Sequence, residues 1–438
     1  MSETQNRRDF LKASALAAGG VALGGARRTV AANDRVTLGY IGTGRMGLGN
    51  MRHQLEIDQA DIAAVCDVYQ PSLDKAVEML DGKVDAYVDF RRLLDRQDID
   101  AVVVSSPDHW HALHTVLACE AGKDVFVEKP LATSIGEGRR MVDVARRTSR
   151  VVQVGTMQRS AEHFQHAIQM VRDGAIGKVS FVRCWNASNE YPEGIGNPAD
   201  GAPPAGLDWD LWLGPAPERP FNTNRFGVGD RWSTFRFFWD YAGGMLTDWG
   251  IHLMDIAIWA MQDEVPNRVT TSGGKYFLSD NRDTPDTLQS TYEFDDWVMT
   301  YTNQACNGRG FDGRGYGIHF HGTEGTMFVD RSGFEVMPEY HRDPDGIAVR
   351  PKTPALRGRS IGSGNREHHE NWLDCVRSRE QPICDVEIGH RSSVLPHLGN
   401  IAYRTGSMVD WDGVAEKCVG NSKANALIDR KYRKQWRV

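Results

Sequence analysis

A chain of 438 residues is too long for one ordinary domain, and two domains behind a leader are the natural expectation. Its composition, 40% hydrophobic and 25% charged, is that of a globular protein, and a net charge of −7 argues against the basic surface that nucleic acid requires. Seven cysteines, an odd number with no C-x-x-C pair, argue against both a disulfide framework and a zinc ribbon.

Residues 1–32 read as an address. Arg7-Arg8-Asp9-Phe10-Leu11-Lys12 precedes a mildly apolar Ala/Gly-rich stretch that is too short to span a bilayer stably. The pattern resembles a bacterial twin-arginine (Tat) export signal, with Val30-Ala31-Ala32 supplying small residues for cleavage. That resemblance implies passage through the Tat machinery, in the folded state, to the periplasm or beyond.

Residues 33–156 read as a dinucleotide-binding domain. Val36 to Ile41 is a buried strand, and Gly42-Thr43-Gly44-Arg45-Met46-Gly47 follows it and opens a helix. In that context G-x-G-x-x-G gives a tight turn, close backbone approach to a pyrophosphate and helix–strand packing. The strand Asp61 to Cys66 leads into Asp67, 20 residues beyond Gly47, where an acid accepts the ribose hydroxyls and repels a 2′-phosphate. NAD is therefore expected over NADP. Further βα units follow: helices at 91–95, 111–121 and 135–148, and strands at 101–104, 124–127 and 151–154. They imply a doubly wound parallel sheet with ligands at the carboxyl ends of its strands. Two such ends carry chemistry, Ser105-Ser106-Pro107-Asp108-His109-Trp110-His111 and Glu128-Lys129-Pro130.

Together these motifs resemble the Gfo/Idh/MocA family of oxidoreductases. The resemblance implies that Ser106, Pro107, His111, Glu128 and Lys129 join the glycine loop and Asp67 around the cofactor. Many members of that family read Thr-Pro-Asn-x-x-His at the first loop; here Ser106 and Asp108 stand instead.

Residues 157–438 read as the substrate domain. The βα rhythm stops, and period-two segments at 178–185, 286–303, 316–320 and 326–330 predict an α+β domain on an antiparallel-rich sheet. The resemblance implies that this sheet is open and serves in homodimer or homotetramer contacts. A long Gly/Pro-rich stretch, 186–230, is expected to be functional or interfacial. Gly243-Gly244-Met245-Leu246-Thr247-Asp248-Trp249-Gly250-Ile251-His252-Leu253-Met254-Asp255 resembles the family's helix-start motif. On a helix Asp248 and His252 share one face. Histidine suits the base that a hydroxyl proton needs, and a carboxylate can orient it and favour its charged form. By resemblance Lys129, Asp248 and His252 form the catalytic group. Asp255 reads as structural support. Gln158 and Arg159 are expected substrate contacts, and Trp110 joins Lys129, Asp248 and His252 among them.

Seven of the twelve tryptophans fall between Trp185 and Trp259, most of them expected in packing. The paired histidines at 109/111, 319/321 and 368/369 lack a third ligand at metal spacing, so no metal is expected.

The resemblance implies hydride transfer between a nicotinamide cofactor and a hydroxyl of a sugar or cyclitol. Outside the inner membrane there is no ready pool of free NAD, so the cofactor should be held tightly and regenerated in place. Two other readings stand beside this one. One is a redox-neutral NAD-dependent glycosidase that oxidises, eliminates, hydrates and reduces. The other is a sugar- or nucleotide-binding protein without catalysis, against which the joint presence of Lys129, Asp248 and His252 argues.

Overall fold

A computed structural model describes residues 35–227, 233–262, 265–340, 342, 353–433 and 435–436. The expected leader, Trp232 and Lys434 lie outside the described residues.

The first sheet has six parallel strands: β1 (Val36–Ile41), β2 (Ala60–Cys66), β3 (Asp85–Tyr87), β4 (Ala101–Val104), β5 (Asp124–Val127) and β6 (Val152–Val154). Their order is β3-β2-β1-β4-β5-β6, the doubly wound arrangement, with its switch between β1 and β4. The central strands are buried at every position in β4 and β5, because helices cover both faces of the sheet. The Ile135–Thr148 helix starts on a reciprocal cap: Ser134 accepts the Glu137 amide, and the Glu137 carboxylate accepts the Thr133 amide at 3.1 Å.

The second sheet has ten strands in the order β14-β13-β12-β11-β7-β10-β9-β8-β15-β16. They are β7 (Val179–Ala187), β8 (Arg268–Gly274), β9 (Thr287–Glu293), β10 (Val298–Gln304), β11 (Tyr316–Gly322), β12 (Gly325–Asp330), β13 (Gly333–Pro338), β14 (Leu356–Arg359), β15 (Val409–Asp412) and β16 (Lys417–Cys418). Every pairing is antiparallel except β7 with β10. The expected 286–303 segment is a hairpin with Glu293 opposite Val298, because Asp295 and Asp296 are turn formers that a strand disfavours. The Glu162–Arg172, Ile251–Ala260 and Val386–Thr405 helices contribute apolar side chains to one core with this sheet.

Residues 36–438 make one compact unit. The chain beyond residue 360 returns to the first sheet. Trp372 and Leu373, on the Asn365–Ser378 helix, share a core with Leu38 and Tyr40. Trp436 packs edge-on against Trp110, with ring centroids 4.9 Å apart. Near the C-terminus, Tyr432 donates to Glu137 at 2.5 Å and Arg433 pairs with Asp210 at 2.5 Å.

Candidate active site

The glycine loop turns sharply where β1 ends. Gly42 has φ +94°, and a Cβ there would lie 2.5 Å from the Ser106 amide nitrogen. A Cβ on Gly47 would meet the Gly42 carbonyl at 2.1 Å. A Cβ on Gly44 would meet nothing within 4 Å. Two of the glycines thus serve internal packing, and the third keeps open the space in front of the backbone that a pyrophosphate would fill. Asp67, beyond β2, accepts the Thr43 amide at 2.7 Å and the Tyr69 amide at 2.9 Å. Burial pushes its carboxyl up, against these hydrogen bonds. The Thr43 hydroxyl also donates to Oδ2 at 3.2 Å, so it is Oδ1 that retains a lone pair for a ribose hydroxyl. The donor set and the open cradle fit a dinucleotide.

His111 joins the two loops at the ends of β4 and β5. Its Nδ1 and Nε2 lie 2.7 and 2.8 Å from the carbonyl oxygens of Pro130 and Ser106. Asn50, on the Arg45–Leu55 helix, donates to Ser105 Oγ and to Glu128, each at 3.0 Å. The second Glu128 oxygen accepts the Lys129 amide at 3.2 Å.

At the chemical end, Lys129 Nζ donates to Asp248 Oδ1 at 2.6 Å, and Arg236 Nε donates to the same oxygen at 2.8 Å. All three side chains are buried. Burial raises the Asp248 carboxyl, but the two cations overcome it and hold Asp248 well below the usual carboxylate range. Asp248 lies in a π-helical turn, Leu246–Gly250, ahead of the Ile251–Ala260 helix. The wide turn breaks the i, i+4 stacking expected of Asp248 and His252. No hydrogen bond joins them, and the His252 Nδ1 is buried without a partner. Burial, with the charges of Lys129 and Arg331, drives His252 well below the ordinary imidazole range. Asp248 therefore serves the cations, and the surroundings of the imidazole favour its neutral form. Such π-turns occur often at functional sites.

Gln158 donates to the His252 carbonyl at 3.3 Å and accepts from Arg331 at 3.2 Å. Arg159 is 1% exposed and forks onto Asp255 at 2.9 and 3.0 Å, while Ser392 caps the same carboxylate at 2.5 Å. Asp255 thereby anchors the Ile251–Ala260 helix.

A cavity of about 520 Å³ runs along the carboxyl ends of β1, β2, β4 and β5. This is a usual size for a ligand site. Every residue expected around the cofactor lies on its wall except Gly47. Of the expected substrate contacts, Trp110 and Lys129 line it, whereas Gln158, Arg159, Asp248 and His252 do not.

The described part of the 186–230 stretch, 186–227, supplies the far wall. The Gln70 amide donates to the Gly206 carbonyl at 2.8 Å and the Asp208 amide to the Val68 carbonyl at 3.0 Å, next to Asp67. Trp212 and Phe226 then face the cavity. His109 Nε2 and Trp110 Nε1 both lie 2.9 Å from the Trp212 carbonyl. Sequence reasoning missed Arg236, Trp212 and Asn50. A signal existed for Arg236: one cation inside Thr234-Phe235-Arg236-Phe237-Phe238, an apolar run that a charge enters only when paired.

A doubly wound sheet with a dinucleotide cradle and a buried Lys–Asp–Arg cluster at one end of the same cleft defines a nicotinamide-dependent oxidoreductase fold. The chain belongs to the Gfo/Idh/MocA oxidoreductase family: residues 36–156 match its NAD-binding Rossmann fold, and residues 190–297 and 360–438 match its C-terminal alpha/beta domain. Residues 4–24 match the TAT (twin-arginine translocation) pathway signal sequence, which marks the chain for export. No described helix is long and apolar enough to cross a membrane.

The chain is 31% identical over 204 residues to a glycosyl hydrolase family 109 protein of Shewanella pealeana, covering 40% of this chain and 44% of that protein. It is 32% identical over 152 residues to an alpha-N-acetylgalactosaminidase of Shewanella oneidensis, covering 33% of each. The chain thus spans less than half the length of these relatives. In fold it is similar to the WlbA dehydrogenase of Bordetella pertussis, solved with NADH and UDP-GlcNAcA. There the TM-score is 0.65 at 17% identity, over 86% of this chain and 98% of that one.

Proposed function

We propose that the protein transfers hydride between a tightly held NAD and a hydroxyl-bearing carbon of a sugar or cyclitol. The observation that carries this is one cavity whose wall holds both the dinucleotide cradle and the cationic pair, Lys129 and Arg236, that shares Asp248. NAD, when bound, supplies the hydride acceptor. The residues expected around it would bind it, and the backbone pairing of 206–208 with 68–70 supports retention. Lys129 Nζ holds the substrate oxygen and neutralises charge that develops there. Asp248 fixes Lys129, and Arg236 shares that load. His252 lies off the cavity wall, and burial favours its neutral form, so it adds no third positive charge beside the cationic pair. In this reading residues 33–156 carry the cofactor and residues 157–438 the substrate. A homodimer or homotetramer formed through the ten-stranded sheet belongs to the same proposal and is read by static light scattering.

The test begins with the mature protein purified without added nucleotide, denatured, and its released dinucleotide quantified. Stoichiometric NAD(H) is expected; an empty protein that binds NAD weakly would sink the tight-cofactor reading. Lys129→Met should then keep its dinucleotide and lose roughly 10²–10³-fold in turnover of aldoses or cyclitols. A second reading, the redox-neutral glycosidase, is favoured by the names of the Shewanella relatives. Products separate the two: a keto-sugar or lactone marks net oxidation, and a free glycone with no redox change marks the glycosidase.

A further inference from the structure

We propose that Asp108 is the group that takes the hydroxyl proton when the substrate is oxidised and returns it in the reverse direction; this rests on the hydride-transfer reading above. Asp108 opens the Asp108–Glu120 helix, is 3% exposed, and lies on the cavity wall with Lys129 and Arg236. Its carboxyl accepts no hydrogen bond from any described residue, and Oδ2 is buried without a partner.

The other acids on that wall are occupied. Asp67 holds Thr43 and Tyr69, Asp89 holds Arg91, and Glu128 holds Asn50 and the Lys129 amide. Asp248 is spent on two cations, and His252 is off the wall. One acid is therefore left both reachable and uncommitted. An unpaired buried carboxyl costs stability, and it persists in folded proteins where function uses it.

Charge gives the step its logic. Lys129 and Arg236 both hold Asp248 and share the cavity wall with Asp108; among these four side chains the charges cancel when both acids are ionised. In the oxidation the C–H bond breaks and its electron pair leaves as hydride to the bound dinucleotide. The O–H bond breaks, its proton passes to an Asp108 oxygen, and the C=O bond forms. Asp108 then carries the proton and the cluster keeps one positive charge beside the carbonyl oxygen.

The two possible acceptors are displaced in opposite directions. Burial pushes the Asp108 carboxyl up, against the charges of Arg236, His111 and Lys129 and with that of Asp248. Burial pushes His252 down. The carboxylate becomes a better base than an ordinary aspartate and the imidazole a poorer one. Asparagine, which the resemblance places here in many family members, cannot carry the proton.

The test compares the holoprotein with Asp108→Asn, using dinucleotide content, infrared spectra across pH, thermal unfolding across pH, and turnover of aldoses, cyclitols and nitrophenyl glycosides. Asp67 is pushed up as well, so the wild type should show carboxylic-acid carbonyl absorption above the ordinary aspartate range from both groups, and the variant should lose the Asp108 component. Because the folded carboxyl is displaced upward, the wild type loses stability as pH rises from the unfolded aspartate value through that of Asp108. The variant should therefore melt higher at neutral pH, with the gap closing in acid. Turnover should fall about 100-fold with KM and dinucleotide content unchanged, and the pH limb of kcat should disappear. A variant whose band is undiminished, or that keeps the rate and the limb, overturns the assignment. The hydride-transfer reading fails separately, on a wild type that binds no dinucleotide, and the infrared band still reports on Asp108 there.

Discussion

The two ends of the cleft satisfy their charged groups by different means. At the nucleotide end Asp67 is held by backbone amides, those of Thr43 and Tyr69, and is partly buried. At the chemical end Asp248 is held by side chains, Lys129 and Arg236, which are 8% and 7% exposed. Backbone donors stay in place whatever residue replaces the acid, and water can reach them. Buried side-chain charges have no such substitute. The nucleotide end should thus lose binding when altered, and the chemical end should lose stability as well as rate.

Asp248→Asn tests that difference at its largest. It removes the carboxylate to which both buried cations are hydrogen-bonded, and breaking a buried pair costs about 3–5 kcal/mol. Urea denaturation should show that loss, with turnover falling too. The sign with pH follows from the depressed carboxyl. Its contribution is present above the ordinary aspartate value and is lost only as pH falls towards the lower one, so the gap between wild type and variant should persist at neutral pH and shrink in strong acid. A variant as stable as the wild type would mean that the cluster is not the support described.

The same contrast decides what could be read from the chain. In the first sheet Gly42, Asp67, Ser106 and Lys129 each follow a strand end, so strand order alone places them. The glycines and Asp67 keep a fixed spacing because one βαβ unit sets it. In the second region Arg236 comes from a single 3-10 turn, Thr234–Phe237, and Trp212 from a five-residue helix. Neither has a periodicity to betray it. Asp248 was legible as a motif, but its partners were not: Lys129 is 119 residues away in sequence. The spacing of Asp248 and His252 suggested a paired imidazolium, and the π-turn with two competing cations removes that pairing. Arg159 lies on a short 3-10 turn directly after β6, yet Asp255 holds it in the interior. Position along a chain does not reveal which way a side chain turns.

Asp67→Ala probes the nucleotide end with a smaller expected effect. Hydrogen bonds to a charged group contribute about 1.5–3 kcal/mol, so NAD should bind roughly 10–100-fold more weakly by calorimetry. Discrimination against NADP should shrink, since the repelling anion is gone. Stability should drop by only about 1 kcal/mol, because water replaces the carboxylate at Thr43 and Tyr69. A stability loss as large as that of Asp248→Asn would erase the distinction between the two ends.

Gly44→Ala should change the fold least and so isolates binding. Gly44 has φ −66° and ψ −167°, a region open to any L residue, and its Cβ would touch nothing. Such a replacement narrows the unfolded ensemble and stabilises by about 0.4–1 kcal/mol. Gly47→Ala, whose Cβ would strike the Gly42 carbonyl at 2.1 Å, should instead disrupt the turn. Both glycines belong to one fingerprint, yet only one has empty space in front of it. If that space is where the pyrophosphate lies, Gly44→Ala yields a protein that melts at or above the wild-type temperature and retains less dinucleotide after purification. Undiminished NAD retention in that variant would place the phosphates elsewhere, and the open cradle would no longer be evidence of fit.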